Sequence, residues 1–356
     1  MHRDYAPKGV KFYFVYKSLA HPELTGNYVQ PFTLAERLAH ARQAEKQLGA
    51  SIPWLVDAID NRFKHALGDR PNSEFLVDPT GIIVRKRAWS HPGQVRADLE
   101  ELVGPVANIT KEEDVRLELD LPLKAPSARG VLPRIHRPGL QAIVVKPRIE
   151  PNGQPFFAKM RAEADTALLS TGAGKLYLGF HLDPFHEAHW NNLTRPLSFQ
   201  LHVPEGVKID TLSAEAPKVE IASDADPREF LLNVTAWPRG QPIRLSVTYF
   251  ACVGETSCHV VRQEYELERR RDRDGGSARG VGAGFWEPKE FTQRLLARDR
   301  NHDGKLNKRE VMGLIVPHFD DFDTNGDHLL DADELKTVSQ WLNHHHRPVR
   351  RQATRP

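Results

Sequence analysis

Residues 243–267 read Ile243-Arg-Leu-Ser-Val-Thr-Tyr-Phe-Ala-Cys252-Val-Gly-Glu-Thr-Ser-Cys258-His-Val-Val-Arg-Gln-Glu-Tyr-Glu-Leu267. From Ile243 to Tyr249 every second residue is apolar or aromatic, the period of a strand with one face in a core. His259–Leu267 is a second extended run, and the polar, glycine-containing stretch between the two is a turn. The cysteines bracket that turn, so a hairpin brings them to facing positions within disulfide range. They are the only two cysteines in the chain, so no thiol chemistry is available before residue 252. A structural staple, a redox-active dithiol and two free thiols are all compatible with the spacing. The ring closed by so short a loop gives little entropic stabilisation.

The two-residue period recurs at Leu176–Leu182, Phe199–Val203 and Phe230–Ala236, and at Val115, Leu117, Leu119 and Leu121. Clusters of Pro, Gly and Asp separate these runs, with a proline-rich loop over 125–138. Several short alternating strands predict an antiparallel β-sandwich over residues 112–268. Val247-Thr-Tyr-Phe-Ala-Cys252 and the five-residue gap to Cys258 resemble the amino-terminal domain of the bacterial disulfide reductase DsbD, over roughly residues 140–270. The resemblance implies an immunoglobulin-like sandwich whose hairpin cysteines, here Cys252 and Cys258, pass electrons to a thiol–disulfide exchange protein outside the cytoplasm. It thereby implies a periplasmic or secreted location. His259-Val-Val stands where many members carry Tyr-Pro-Pro.

Residues 1–104 alternate strand and helix signals and predict an α/β layer. Val10–Tyr16 and Pro53–Asp57 are strand-like. Thr33-Leu-Ala-Glu36 has capping-box spacing and opens a helix with Leu34, Leu38, Ala41 and Leu48 on one side, ending at Gly49. A short helix follows over Asn61–Leu67. Glu74–Val77 and Ile82–Arg87 flank an Asp78-Pro-Thr-Gly81 turn, and a last helix spans Pro92–Val103. Phe12–Tyr16 followed by Ala20-His21-Pro22, then Thr33–Arg37, Asp57 with Asn61, and Phe75–Gly81 run in the order seen in the iodothyronine deiodinases. The segment resembles that branch of the thioredoxin-like fold. The resemblance makes His21 a candidate catalytic-site residue. It also implies a first strand and a selenocysteine or cysteine nucleophile upstream of Met1, so the domain is expected to be incomplete at its amino terminus. Leu19 and Pro31 stand where the family commonly has Glu and His.

Residues 269–287 are charged and then glycine-rich, the composition of a tether. Beyond them, over 288–343, come two twelve-residue loops, Asp299–Glu310 and Asp323–Glu334. Oxygen ligands fall at Asp299, Asn301, Asp303, the Lys305 carbonyl, Asn307 and Glu310. In the second loop they fall at Asp323, Asn325, Asp327, the Leu329 carbonyl, Asp331 and Glu334. Calcium takes six to eight hard oxygen ligands at flexible angles, and this spacing supplies them. The loops are identified as members of the EF-hand family, which implies a small all-α pair holding two Ca²⁺. The second site is expected to be weaker, because His328 occupies the position where Gly304 makes the central turn of the first. A basic tail follows over 344–356.

The expected architecture is therefore multidomain: a thioredoxin-like α/β segment, a β-sandwich and an EF-hand pair. A formal net charge of +2 argues against nucleic acid as a main partner. No apolar run approaches the length of a membrane span, and nothing fixes an oligomeric state. His181, His186 and His189, with Asp183 and Glu187, could surround a transition metal or simply form a loop surface. The expected function is calcium-binding, extracytoplasmic thiol–disulfide redox chemistry. The alternative is a non-enzymatic secreted scaffold with a remnant thioredoxin-like domain and a structural disulfide.

Overall fold

The computed structural model describes residues 1–20, 22, 28–49, 51–68, 70, 72–111, 114, 131–135, 139–150, 153–254, 257–276 and most of 292–345. His21, the strand expected over 115–121, residues 277–287 of the expected tether and residues 288–291 lie outside the described residues. The chain divides into two compact units. One comprises 1–20, 29–124 and 273–276, and the other 21–28, 125–272 and 277–356.

In the first unit, a helical turn α1 (His2–Tyr5) precedes β1 (Phe14–Tyr16), which pairs in parallel with β2 (Trp54–Val56). Between them runs α2 (Leu34–Leu48), opened by the expected capping box. Thr33 accepts from the Glu36 amide, and Glu36 Oε2 accepts from the Thr33 amide at 3.1 Å. The buried side of α2 differs from the expected leucine stripe. Arg37, His40 and Ala41 are inside, while Leu34 and Leu48 are exposed. Arg37 turns inward, and its guanidinium donates to two loop carbonyls, Asp57 at 3.3 Å and Ala58 at 2.6 Å. After α3 (Arg62–Leu67), β3 (Glu74–Val77) and β4 (Ile83–Arg87) form an antiparallel hairpin. Its turn is held by Asp78 Oδ1, which accepts from the Thr80 and Ile82 amides. Helix α4 spans Pro92–Val103. The four strands make two separate pairs.

The second unit is mostly sheet. Strands β5 (Gln141–Pro147), β6 (Ala158–Ala164), β7 (Gly174–Leu182), β8 (Ala188–Asn191), β9 (Ser198–His202), β10 (Lys208–Ile209), β11 (Ser213–Glu215), β12 (Ser223–Asp224), β13 (Arg228–Ala236), β14 (Ile243–Val253) and β15 (Ser257–Arg271) join one eleven-stranded antiparallel sheet. A short helix α5 (Thr166–Thr171) separates β6 from β7. The expected pair of sheets is continuous because β5 bonds on both sides. Gln141 and Ala142 pair with β6, and Val144–Pro147 pair with β15.

Alternation buries one face of β9, β13, β14 and β15, whereas β6 and the middle of β7 are buried on both faces. Leu176, Leu178, Phe180, Phe230 and Leu232 meet Phe199, Leu245, Val247 and Tyr249 in the core. Phe199 and Phe230 touch edge to face, their centroids 4.8 Å apart. The buried Tyr249 hydroxyl is satisfied, accepting from the Ala158 amide and donating to Gln263. Strand β15 runs through Arg271, so ordered strand occupies the first residues of the expected tether.

The carboxy-terminal segment is not all-helical. It comprises β16 (Leu306–Asn307), a 3₁₀ stretch Gly313–His318, helix α6 (Phe319–Phe322), β17 (Leu329–Leu330) and helix α7 (Ala332–His345). Leu306, Val311, Ile315, Phe319, Phe322, Leu330, Leu335 and Val338 form its core.

Candidate functional site

The β14–β15 register pairs Cys252 directly with Cys258, and the two sulfurs are bonded. On the other side of β14, Cys252 is paired with His189 of β8. Directly opposed residues point to the same face of a sheet, so Cys258, Cys252 and His189 form one row. The two residues differ in exposure: Cys252 is 4 % exposed, whereas Cys258 is an exposed residue. Burial holds the His189 imidazole below its ordinary pKa, so it is neutral at pH 7. On the adjacent row His259 stacks on Phe157 at 5.2 Å, and its Nε2 lies 2.9 Å from the Ser257 hydroxyl. An incoming thiolate could therefore reach the Cys258 sulfur and expel Cys252 as the leaving group.

The histidine-rich segment is dispersed. His181 lies on β7 beside the Tyr177 hydroxyl, and Asp183 pairs with Lys159 at 2.6 Å. His186 packs edge-on against Phe157. Among the described residues, no three of His181, Asp183, His186, Glu187 and His189 converge within metal-ligating distance.

The two twelve-residue loops repeat one hydrogen-bond pattern. The first aspartate accepts from the amide at position six: Gly304 to Asp299 at 2.8 Å, and His328 to Asp323 at 2.9 Å. Position five accepts from position seven: Lys305 to Asp303 at 2.8 Å, and Leu329 to Asp327 at 2.9 Å. The closing glutamate accepts from position nine at 3.0 Å in both loops, Asn307 to Glu310 and Asp331 to Glu334. Asn301 donates to Asp303, and Asn325 accepts from the Asp327 amide. Gly304 has φ +80°, and His328 adopts φ +63° in the equivalent place, a conformation costly for a side chain.

Strands β16 and β17 set the loops back to back, with Leu306 opposite Leu330. Glu310 and Glu334 are 7 % and 5 % exposed, so both closing carboxylates point inward. Lys305 reaches from the first loop to Asp327 of the second at 2.6 Å. Among the described residues, no three carboxylates of one loop lie within 4.8 Å of one another. An ion would have to draw them together and release Lys305 from Asp327. The donors are all hard oxygens, which suits calcium and not a soft transition metal.

A cluster in the first unit was invisible in the sequence. Lys64, 8 % exposed, donates to the Ser18 hydroxyl at 2.8 Å and to Asp274 at 2.6 Å. The second Asp274 oxygen lies 2.9 Å from His65 Nε2. Burial opposes the Asp274 charge, but the bond and charge of Lys64, with His65 and Asn61, outweigh it and hold the carboxyl below its ordinary pKa. Asp57 receives the amides of Phe63 and Lys64 at the start of α3. Nothing in the charge pattern marks Asp274 as half-buried, since it follows a run of arginines that reads as solvated chain.

No protein-family model, no curated protein and no solved structure matches this chain. Among the described residues no helix is long and apolar enough to cross a membrane.

Proposed function

We propose that this is a calcium-binding protein, with Asp299, Asn301, Asp303, Lys305, Asn307 and Glu310 holding one ion and Asp323, Asn325, Asp327, Leu329, Asp331 and Glu334 a second. The observation that carries this reading is the repeated hydrogen-bond pattern of two oxygen-rich loops joined through Leu306 and Leu330. On this reading the segment is an EF-hand pair, and calcium holds it in one shape. Calorimetric titration of the full chain with Ca²⁺ is expected to give two sites, the weaker in the second loop. Glu310→Gln removes a charged bidentate ligand from the first loop and weakens its site about a hundredfold, equivalent to about 3 kcal/mol. Absence of saturable binding in the parent chain would refute the proposal.

A second reading is favoured by the unequal exposure of the two cysteine residues. In it Cys252 and Cys258 are the dithiol–disulfide pair of an immunoglobulin-like sandwich, working outside the cytoplasm, where disulfides persist. A partner thiolate attacks the Cys258 sulfur, the Cys252–Cys258 bond breaks, and the electron pair leaves on Cys252. A second partner thiol then resolves the mixed disulfide, so the partner is oxidised and the pair gains two electrons. The thioredoxin-like segment expected over residues 1–104 contributes no thiol of its own and would serve as scaffold, with His21 its one candidate site residue. Thiol-trapping redox titration tests this. A potential of about −120 to −270 mV is expected for an exchange pair, whereas a pair that stays oxidised below about −300 mV is a structural staple. That outcome would leave a calcium-binding secreted scaffold.

A further inference from the structure

At the opposite end of the β14–β15 hairpin from the disulfide, a cavity of about 680 Å³ is lined by Leu169, Pro242, Arg239, Arg269 and Arg271, among others. The eleven residues of β14, at roughly 3.4 Å each, put about 30 Å between this cavity and the cysteines. The site proposed here is therefore independent of the redox and calcium readings.

Its charge is unbalanced. The two lining carboxylates are already engaged: Glu268 pairs with Lys146 and with Arg270, and Glu266 lies 3.7 Å from Lys146. Arg239 and Arg271 have no carboxylate partner among the described residues. Arg269 is set in place by the turn after α5, where its Nη1 donates to the Leu168 carbonyl at 3.3 Å. Gly172 makes that seat, since a Cβ there would fall 2.6 Å from Arg269 Nη1 and its φ is +92°. The Nε of Arg269 is buried with no acceptor. Burial, and then the neighbouring Arg239 charge, hold the Arg269 guanidinium below its ordinary pKa. Two like charges thus line one cavity.

We propose that this cavity binds a small phosphate-class oxyanion between Arg239 and Arg269. Guanidinium groups pair with such anions through two parallel N–H···O bonds, and one anion relieves the repulsion between both cations. The volume lies within the range of small-molecule sites. Leu169 and Pro242 offer an apolar wall to the organic part of a phosphate ester. The anion could be free or carried on such an ester, and the two are separable by titration.

The full chain is titrated with inorganic phosphate and with phenyl phosphate at constant ionic strength, following heat and thermal unfolding. Saturable binding is expected with at least one probe. Tighter binding of phenyl phosphate assigns the site to an ester, and equal or tighter binding of phosphate assigns it to the free ion. Arg239→Gln, at an exposed position, should weaken binding about tenfold or more, the loss of one charge-assisted pair. Arg195→Gln removes an equally exposed charge elsewhere and should change affinity less than about twofold, the level of a screened surface charge. Arg269→Lys, which keeps the charge and removes the fork, should also weaken binding. Equal losses in the Arg239 and Arg195 variants, or no saturation with either probe, would overturn the proposal. So would binding of a heparin-like polyanion alone.

Discussion

Glu229→Gln is expected to lower the unfolding free energy of the chain by about 3 kcal/mol near neutral pH. Glu229 sits on β13 with its side chain 3 % exposed. It accepts both Nε and Nη2 of Arg134 at 2.9 Å, the Ile135 amide at 2.9 Å and the Tyr177 hydroxyl at 2.7 Å. Burial alone would raise its pKa, but Arg134, His181 and Tyr177 outweigh burial and bring it from 4.5 down to about 2. At 1.36 kcal/mol per unit, that difference corresponds to about 3 kcal/mol. A carboxyl whose folded pKa is depressed contributes fully above its unfolded pKa and loses the contribution as pH falls through the folded one. The gap between parent and variant should therefore be widest above pH 4.5 and close as pH approaches 2. Urea unfolding at a series of pH values measures it, and a gap independent of pH would show that the carboxylate charge is not what stabilises this face.

Asp274→Asn should cost about as much, around 3 kcal/mol, because it leaves the buried Lys64 ammonium without a counter-ion. The Asp274 and Lys64 side chains are 20 % and 9 % exposed, so solvent does not stand in for the lost charge. The charge and not the contact is at stake, so Lys64→Met combined with Asp274→Asn should recover most of the loss. Asp60→Asn is a suitable control, since the Asp60–Arg62 pair lies at the surface and should leave stability unchanged. If Asp274→Asn unfolds at the parent's denaturant midpoint, the Lys64–Asp274 pair does not hold the first unit together.

How much of this was legible in the sequence depends on whether local chemistry sets the structure. The α2 capping box, the Asp78 turn and the β7, β9, β13 and β14 strands could be read, because hydroxyl spacing and a two-residue apolar period fix them locally. The matched spacing of the two twelve-residue loops was also legible, whereas the pairing of Leu306 with Leu330 is supplied by the structure. Strand β6 was not, since Lys159, Arg161 and Glu163 occupy alternate positions that should face water. All three are buried, with Lys159 paired to Asp183 and Arg161 to Glu163 at 2.6 Å. Lys159 is settled by a partner 24 positions away and Arg161 by one two positions along the same strand, and no apolar periodicity records either pair. Arg37 misled for the same reason: its guanidinium donates to two carbonyls of a loop some twenty residues away. The cysteine pair lies between these cases. Its facing geometry followed from the hairpin, but the difference in exposure between the two residues did not.

Segment 273–276 belongs to a unit whose other described residues all precede position 115. Lys64 and Asp274 are separated by 210 positions, and a ribosome adding about 5–20 residues per second takes roughly 10–40 s to cover that distance. During this interval the first unit has emerged without its counter-ion, while the intervening sheet is still being made. Its amino-terminal part is then a client for holding chaperones and an early target for proteases. Premature stops between β13 and β15 would strand it in that state, even though they leave every earlier residue of the unit intact.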